Sequence, residues 1–445
     1  ELTYDKIPRE DVQMAKKVLL DYLACGIVGA GEPESVILKE YFCTIGGREE
    51  SGIFASSVRL PAANAAFLNS AIAHANDFDD THDRTTAHFG VVVIPPVLAI
   101  AEQRDIDGRE FIAAVVAGYE IFARVALSSN VGPNSGWVLT TTCGIFGAAV
   151  AAGKLLGLDQ NQMVHALGIA LSMSSGSSQT IKDGAWSKRL QVGHAASMGL
   201  LSALLAKKGY TGAHQAFDGA FNFHRVYFRD YDIARATKDF YKSFEISSIS
   251  FKPYPCCRFT HAAIDAMFKL TERYSLQPDD VRRIEVRVSK QVIDMVCEPE
   301  ARKKKPETVV DAQFSIPYVV ACALVRKGLF VDEFTDRAIR DPRIIETAAK
   351  VECVADKELT VTAGIGIAPA IVTVETKTGE RLEEKVREAR GHFLNPMTES
   401  DHREKFSRCA AKLRMPGENI EKLYRAVESL ENEGRPGSIM AWMRS

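Results

Sequence analysis

Arg283-Ile-Glu-Val-Arg-Val288 alternates charged and apolar residues without a break, the period of a strand with one face buried. It marks the point where the chain changes character. Downstream, Val351–Val354 and Ile371-Val-Thr-Val-Glu-Thr376 are further strand candidates, and Lys377-Thr-Gly-Glu380 can turn the second of these into a hairpin with Arg381–Val386. Helical runs, Ser315–Val325 and Val331–Ala338, lie between the strands. Upstream, the chain reads as helix after helix. Val12, Ala15, Val18, Leu19, Tyr22 and Leu23 recur at helical spacing within 10–28, and Pro61 opens an Ala-rich run towards His74. Asp107-Gly-Arg-Glu110 and Asp159-Gln-Asn-Gln162 are capping boxes ahead of apolar runs, and Gly157 is a stop for the helix before it. Gly147-Ala-Ala-Val-Ala-Ala-Gly153 and Ala195-Ala-Ser-Met-Gly199 are dense in small residues, which lets helices approach closely within a chain or between subunits. Helical periodicity returns at His402–Cys409 and Gly417–Leu430. The expectation is a mainly α protein: a large all-α domain over 1–265 completed by 395–445, and a smaller α+β domain over 266–394. Lys303-Lys-Lys305 reads as a solvated loop and Gly434–Ser445 as a loose tail.

The chain has 445 residues, 25% of them charged and 46% hydrophobic, enough for two or three domains. Lys and Arg total 55 against 57 for Asp and Glu, a balance with no long-range field to attract a polyanion, so no nucleic-acid partner is expected. The apolar stretches Val18–Val28 and Val91–Ala101 fall short of the ~20 residues of a bilayer span, so no membrane partner is expected either. Nine scattered cysteines, without a CxxC pair, point to buried thiols in a reducing compartment. The expected location is cytoplasmic, or mitochondrial for a eukaryotic protein whose targeting segment has been removed; residue 1 is Glu.

Three segments can carry chemistry. His74 to His88 packs four aspartates and three histidines into fifteen residues. Asp79-Asp80-Thr81-His82-Asp83 matches a DDxxD pattern for Mg²⁺ and diphosphate, but no second acidic motif is available to face it. Gly184-Ala-Trp-Ser-Lys-Arg-Leu190 places Lys188 and Arg189 at the head of a small-residue helix. In Phe251-Lys-Pro-Tyr-Pro-Cys-Cys-Arg-Phe-Thr-His261, two prolines fix an extended run that presents Lys252, Arg258 and His261 near a helix start, a favourable place for anions.

Taken together, His74-x-x-Asp77-Phe-Asp79-Asp80-Thr81, Ser187-Lys-Arg-Leu190, Lys252–His261, Asp311-Ala-Gln-Phe-Ser-Ile-Pro-Tyr318 and Gly391-His-Phe-Leu-Asn-Pro-Met-Thr398 form five ordered blocks. With them the chain resembles the MmgE/PrpD family over nearly its whole length. That family includes 2-methylcitrate dehydratase, cis-aconitate decarboxylase and iminodisuccinate epimerase. The resemblance implies an all-α domain with an α+β lid, a homodimer, and no metal or organic cofactor. Its active-site pattern falls on Asp77, Thr81, His88, Lys188, Lys252 and Tyr318. Two departures stand out. His88 is followed by Phe89 where the family commonly has Pro, and Val138-Leu139 stand where many members carry His-Pro.

The chemistry common to such enzymes moves a proton at carbon beside a carboxylate. Without metal, the developing enediolate needs ammonium, guanidinium or imidazolium groups in a site that excludes water. Lys188 and Lys252 fit that need, with His88 as proton carrier, Asp77 orienting a neighbour and Tyr318 a second proton source. Thr81, Arg258 and His261 are then the substrate-binding set, Arg258 gripping a carboxylate bidentately. The expected substrate is a small polycarboxylate and the favoured reaction is dehydration of a 2-methylcitrate-like acid. Decarboxylation of a cis-aconitate-like acid and epimerisation of an iminodisuccinate-like acid are the alternatives. A carboxylate-binding helical homodimer without turnover is the non-enzymatic alternative.

Overall fold

A computed structural model describes residues 2–129, 136–240, 242–362 and 368–443. Two large hydrophobic cores organise it. The first is built by helices Arg9–Gly29, Ala62–Ala73, Gly90–Ala101, Gly108–Ser128, Gly144–Leu155 and Ser187–Lys207. Both capping boxes form, at Asp107 and Asp159, each side chain accepting from the backbone N–H three residues on. The small residues act within the chain. A Cβ on Gly199 would lie 2.4 Å from Ala148 Cβ, so Ser187–Lys207 and Gly144–Leu155 meet almost backbone to backbone. Helix Gly108–Ser128 is long and apolar enough by itself to cross a membrane, but it is mostly buried inside this core.

Helices Glu399–Lys412 and Gly417–Glu428 return to the first core through Phe406, Cys409, Leu423 and Val427. The C-terminal stretch is not a loose tail. It forms a 3₁₀ helix, Pro436–Met443, whose Ile439, Met440 and Met443 are buried.

The second core packs helices His261–Tyr274, Ile316–Arg326 and Pro342–Ala349 with a four-stranded sheet. The strand order is Val351–Ala355, Val281–Val288, Ala370–Thr376, Arg381–Val386. Ile284, Val286 and Val288 are buried, as the alternation requires. The last two strands form the expected hairpin, with Gly379 at φ +89° in the turn. Val281–Val288 runs parallel to Val351–Ala355 and antiparallel to Ala370–Thr376. The 331–338 run is not one helix. It splits into 3₁₀ turns Val331–Phe334 and Ala338–Arg340, separated by Thr335 in an extended conformation. Nor is 303–305 a solvated loop: Lys303 lies in helix Glu300–Lys304 and is buried, and burial pulls its ammonium down to about 8.

One small feature decides where the site forms. Thr81–His82 pairs antiparallel with Ile249–Ser250, drawing the acidic His74–His88 segment onto the run that carries Lys252 and Arg258. Gly391 then packs against that run. Phe251 N donates to Gly391 O at 2.8 Å, and a Cβ on Gly391, which sits at φ +83°, would lie 2.1 Å from Phe251 O.

Candidate active site

The end of helix Ala62–Ala73 delivers His74, and the turn beyond it puts Asp77 at φ +51°, a left-handed conformation that costs a non-glycine residue about 1–2 kcal/mol. Two cations hold that carboxylate. Lys188, in the first turn of Ser187–Lys207, donates to Asp77 Oδ1 at 2.6 Å. Lys252 donates to Oδ2 at 2.9 Å and to the Asp77 carbonyl at 2.7 Å. Burial works against the charged carboxylate, but the two ammonium groups outweigh it and hold its pKa well below the usual range. Burial also pulls Lys188 down to about 8, against the pull of Asp77.

A second carboxylate arranges the imidazoles. Asp79 accepts from His74 Nδ1, 2.9 Å from Oδ1 and 3.1 Å from Oδ2, and from His88 Nδ1 at 2.9 Å on Oδ2. Burial would neutralise Asp79, and the two histidines reverse this and keep it ionised. With Nδ1–H committed to Asp79, His74 Nε2 accepts from Lys188 Nζ at 2.5 Å. Burial draws His74 down to about 3 and lowers His88 as well, so both rings are neutral near pH 7. His88 lines the cavity, and no hydrogen bond among the described residues engages its Nε2. That nitrogen is the open proton acceptor of the site.

The cavity, about 100 Å³, lies between the two cores. Its polar lining includes His74, Asp77, Thr81, Asp83, His88, Lys188 and Arg258, with further hydroxyls from Thr86, Thr140 and Ser178. Arg258 Nε lies 3.4 Å from Asp83, which also accepts from Thr81 Oγ1 at 2.9 Å and from Ser250 Oγ at 2.8 Å. Cys257 lines it too, but burial pushes the thiol up to about 11, which keeps it protonated and a poor nucleophile.

The structure brings together Asp77, Thr81, His88, Lys188, Lys252 and Arg258, with two qualifications and one correction. Lys252 is fully buried behind Asp77 and does not line the cavity. His261 sits beneath Arg258, Nδ1 3.2 Å from Arg258 Nη1 and Nε2 3.2 Å from the Cys256 carbonyl, so it braces the arginine instead of reaching the cavity. Tyr318 is in the wrong place for a proton source: its hydroxyl is committed to the Glu333 carbonyl at 2.5 Å inside the second core. Gln313, five residues earlier in the same block, reaches the site instead. Its Oε1 accepts from Arg189 Nη2 at 2.7 Å and its Nε2 donates to the Asn76 carbonyl at 3.1 Å.

Reasoning from sequence also missed His74, Asp79 and Thr140 as parts of the site. The first two lay in view in the densest block; Thr140, which accepts from His88 N at 3.0 Å, carried no signal. Lys405 carried none either, yet it donates to Asp21 at 2.6 Å and to the carbonyls of Phe78 and Lys252 at 2.7 and 3.0 Å. The Phe89 departure has a structural reason. Its ring stacks on Phe122 at 3.8 Å in the first core.

His74, Asp77 and His88 offer ligand atoms within 4.8 Å of one another, close enough for a metal ion. The donor set does not suit one. Both Asp77 oxygens and His74 Nε2 already accept from ammonium groups, and a divalent cation would sit against Lys188 and Lys252.

The geometry defines a buried site between a helical body and an α+β unit, where lysine, arginine and histidine side chains converge on three aspartates. The family model for the MmgE/PrpD N-terminal domain matches residues 1–236, and that for the C-terminal domain matches 254–429. The chain belongs to the MmgE/PrpD family. It is 29% identical to the cis-aconitate decarboxylase-like protein oryM of Aspergillus oryzae, over 99% of this chain and 94% of the relative. It is 27% identical to human cis-aconitate decarboxylase over 95% of this chain and 88% of that protein. A mitochondrial 2-methylcitrate dehydratase of Yarrowia lipolytica is 27% identical over 48% of this chain and 41% of its own length. Its relatives are enzymes acting on small carboxylic acids.

Proposed function

We propose that this protein is a lyase that decarboxylates an unsaturated polycarboxylate of the cis-aconitate kind. This reverses the order read from the sequence, which put dehydration first. Full-length similarity to cis-aconitate decarboxylases supports the change, against half-length similarity to a dehydratase. The observation that carries the reading is a cluster of proton-handling groups, Lys188 and His88, in a cavity also lined by Trp137, Val138, Leu139, Ile181, Met295 and Phe314. Decarboxylation needs one proton delivered to carbon, and poorly solvated surroundings favour a carboxylate that leaves as neutral CO₂.

The bond between carbon and the departing carboxylate breaks, and its electron pair becomes a new C=C bond. The original π pair takes a proton from the Lys188 ammonium or from His88 once that ring is protonated. Arg258 and Thr81 hold the carboxylates that remain. Asp77 keeps Lys188 charged and placed, Lys252 locks Asp77 from behind, and Asp79 fixes both imidazoles. The α+β unit acts as the lid and the assembly is a homodimer in the same proposal.

Turnover of cis-aconitate, citrate and 2-methylcitrate in D₂O, followed by NMR, tests it. CO₂ release from cis-aconitate with one deuteron in the product is expected. Water loss from 2-methylcitrate without CO₂ would return the reading to dehydration, and binding without turnover would leave a carboxylate-binding protein.

A further inference from the structure

We propose that the acid taken by this cavity carries a hydrocarbon arm several carbons long beside its carboxylates, an inference that rests on the lyase reading above. Charge balance comes first. The cations lining the cavity are Lys188 and Arg258, and each lies against a carboxylate, Asp77 at 2.6 Å and Asp83 at 3.4 Å, with Asp77 shared by Lys252 at 2.9 Å from behind. Around Asp77 the two ammonium groups exceed the one carboxylate by a single charge, short of the three negative charges of a small tricarboxylate. Residues 130–135, which precede the lining segment, are Asn-Val-Gly-Pro-Asn-Ser and contribute no ionisable side chain.

The apolar lining is the second observation. Trp137, Val138, Leu139, Ile181, Met295 and Phe314 contribute to the cavity from both cores. Hydroxyls of Thr81, Thr86, Thr140 and Ser178 also line the cavity, but the two that follow Thr140 are turned to backbone carbonyls. Thr141 and Thr142 both donate to the carbonyls of Val138 and Ser175. Phe314 lies with its ring centroid 5.5 Å from Lys188 Nζ, which puts apolar surface beside the proton donor. An arm attached near the reacting carbon meets hydrocarbon there, and a further carboxylate meets none of the cations it would need.

The experiment measures CO₂ release from cis-aconitate and from its methyl-, propyl- and pentyl-substituted homologues, with titration calorimetry of the same acids. The expected result is a kcat/KM that rises about fourfold per methylene over the shorter arms, mostly through KM. Val138→Thr and Met295→Gln should flatten that dependence. A preference for unsubstituted cis-aconitate, or a chain-length series that neither variant changes, overturns the inference while leaving the lyase reading intact. If no acid loses CO₂, the lyase reading fails. The calorimetric series then still decides whether affinity follows arm length.

Discussion

Asp77 and Asp79 lie two residues apart and do different work. Asp77 is the shared counter-charge of two buried ammonium groups, so Asp77→Asn strands Lys188 and Lys252 without it. A loss of about 3–5 kcal/mol in urea-unfolding stability is expected, and a loss below 1 kcal/mol would mean that water or another group satisfies the lysines. Asp79 fixes which nitrogen of each imidazole bears the proton. Asp79→Asn should lower kcat by about 100-fold or more and move the acidic limb of the pH profile with little change in KM, a split that a mere folding defect would not produce. Lys188→Ala should cost kcat/KM about 100-fold or more on the acid that is turned over. With Lys188 pulled down to about 8, its charged, donating form prevails below that pH, so kcat/KM is expected to fall as pH rises through about 8. Stability runs the other way. Between about 8 and the ordinary value of 10.5 the unfolded chain binds the extra proton, so this lysine's contribution to stability rises with pH across that window. A pH–rate profile set beside a pH–stability profile checks both signs.

Helix Ser187–Lys207 links packing to chemistry, because its first turn carries Lys188 and its middle carries Gly199. A side chain at Gly199 would meet Ala148 Cβ at 2.4 Å and Ile145 O at 2.8 Å. Gly199→Val should cost about 2–3 kcal/mol of stability, read by denaturant titration, and should lower activity as the helix is pushed off Gly144–Leu155. Unchanged stability would show that the helices have room to part. Most elements were legible in the chain itself. Capping boxes, the hairpin turn and the 281–288 alternation are local signals, and strands and helices stand where they fall. Val331–Ala338 was misread because its apolar spacing suits a helix, while Thr335 takes an extended conformation and splits it. The C-terminal stretch was misread because its burial depends on a partner, helix Gly90–Ala101, more than 300 residues away.

At the scale of the whole molecule, the site exists because three distant segments meet: 74–88, the head of Ser187–Lys207, and 249–258. Lys405, from a fourth, pins the first to the third through the carbonyls of Phe78 and Lys252. Since ammonium groups fill the positions a metal would need, prolonged EDTA treatment should leave turnover unchanged; loss of activity restored by Mg²⁺ would overturn that account. The residue types of the chemistry, the helical body and the positions of the strands were determined by the sequence alone, because periodicity, capping and turn preference act within a few residues. Strand order, and the parallel pairing of Val281–Val288 with Val351–Ala355, came only with the tertiary structure. So did the assignment of roles within each block. Tyr318 and Gln313 are five residues apart, and only the packing of the second core aims one at Glu333 and the other at Arg189. Side-chain direction, burial and the pKa values that follow from it are set by contacts between residues far apart in the chain, which no local pattern records.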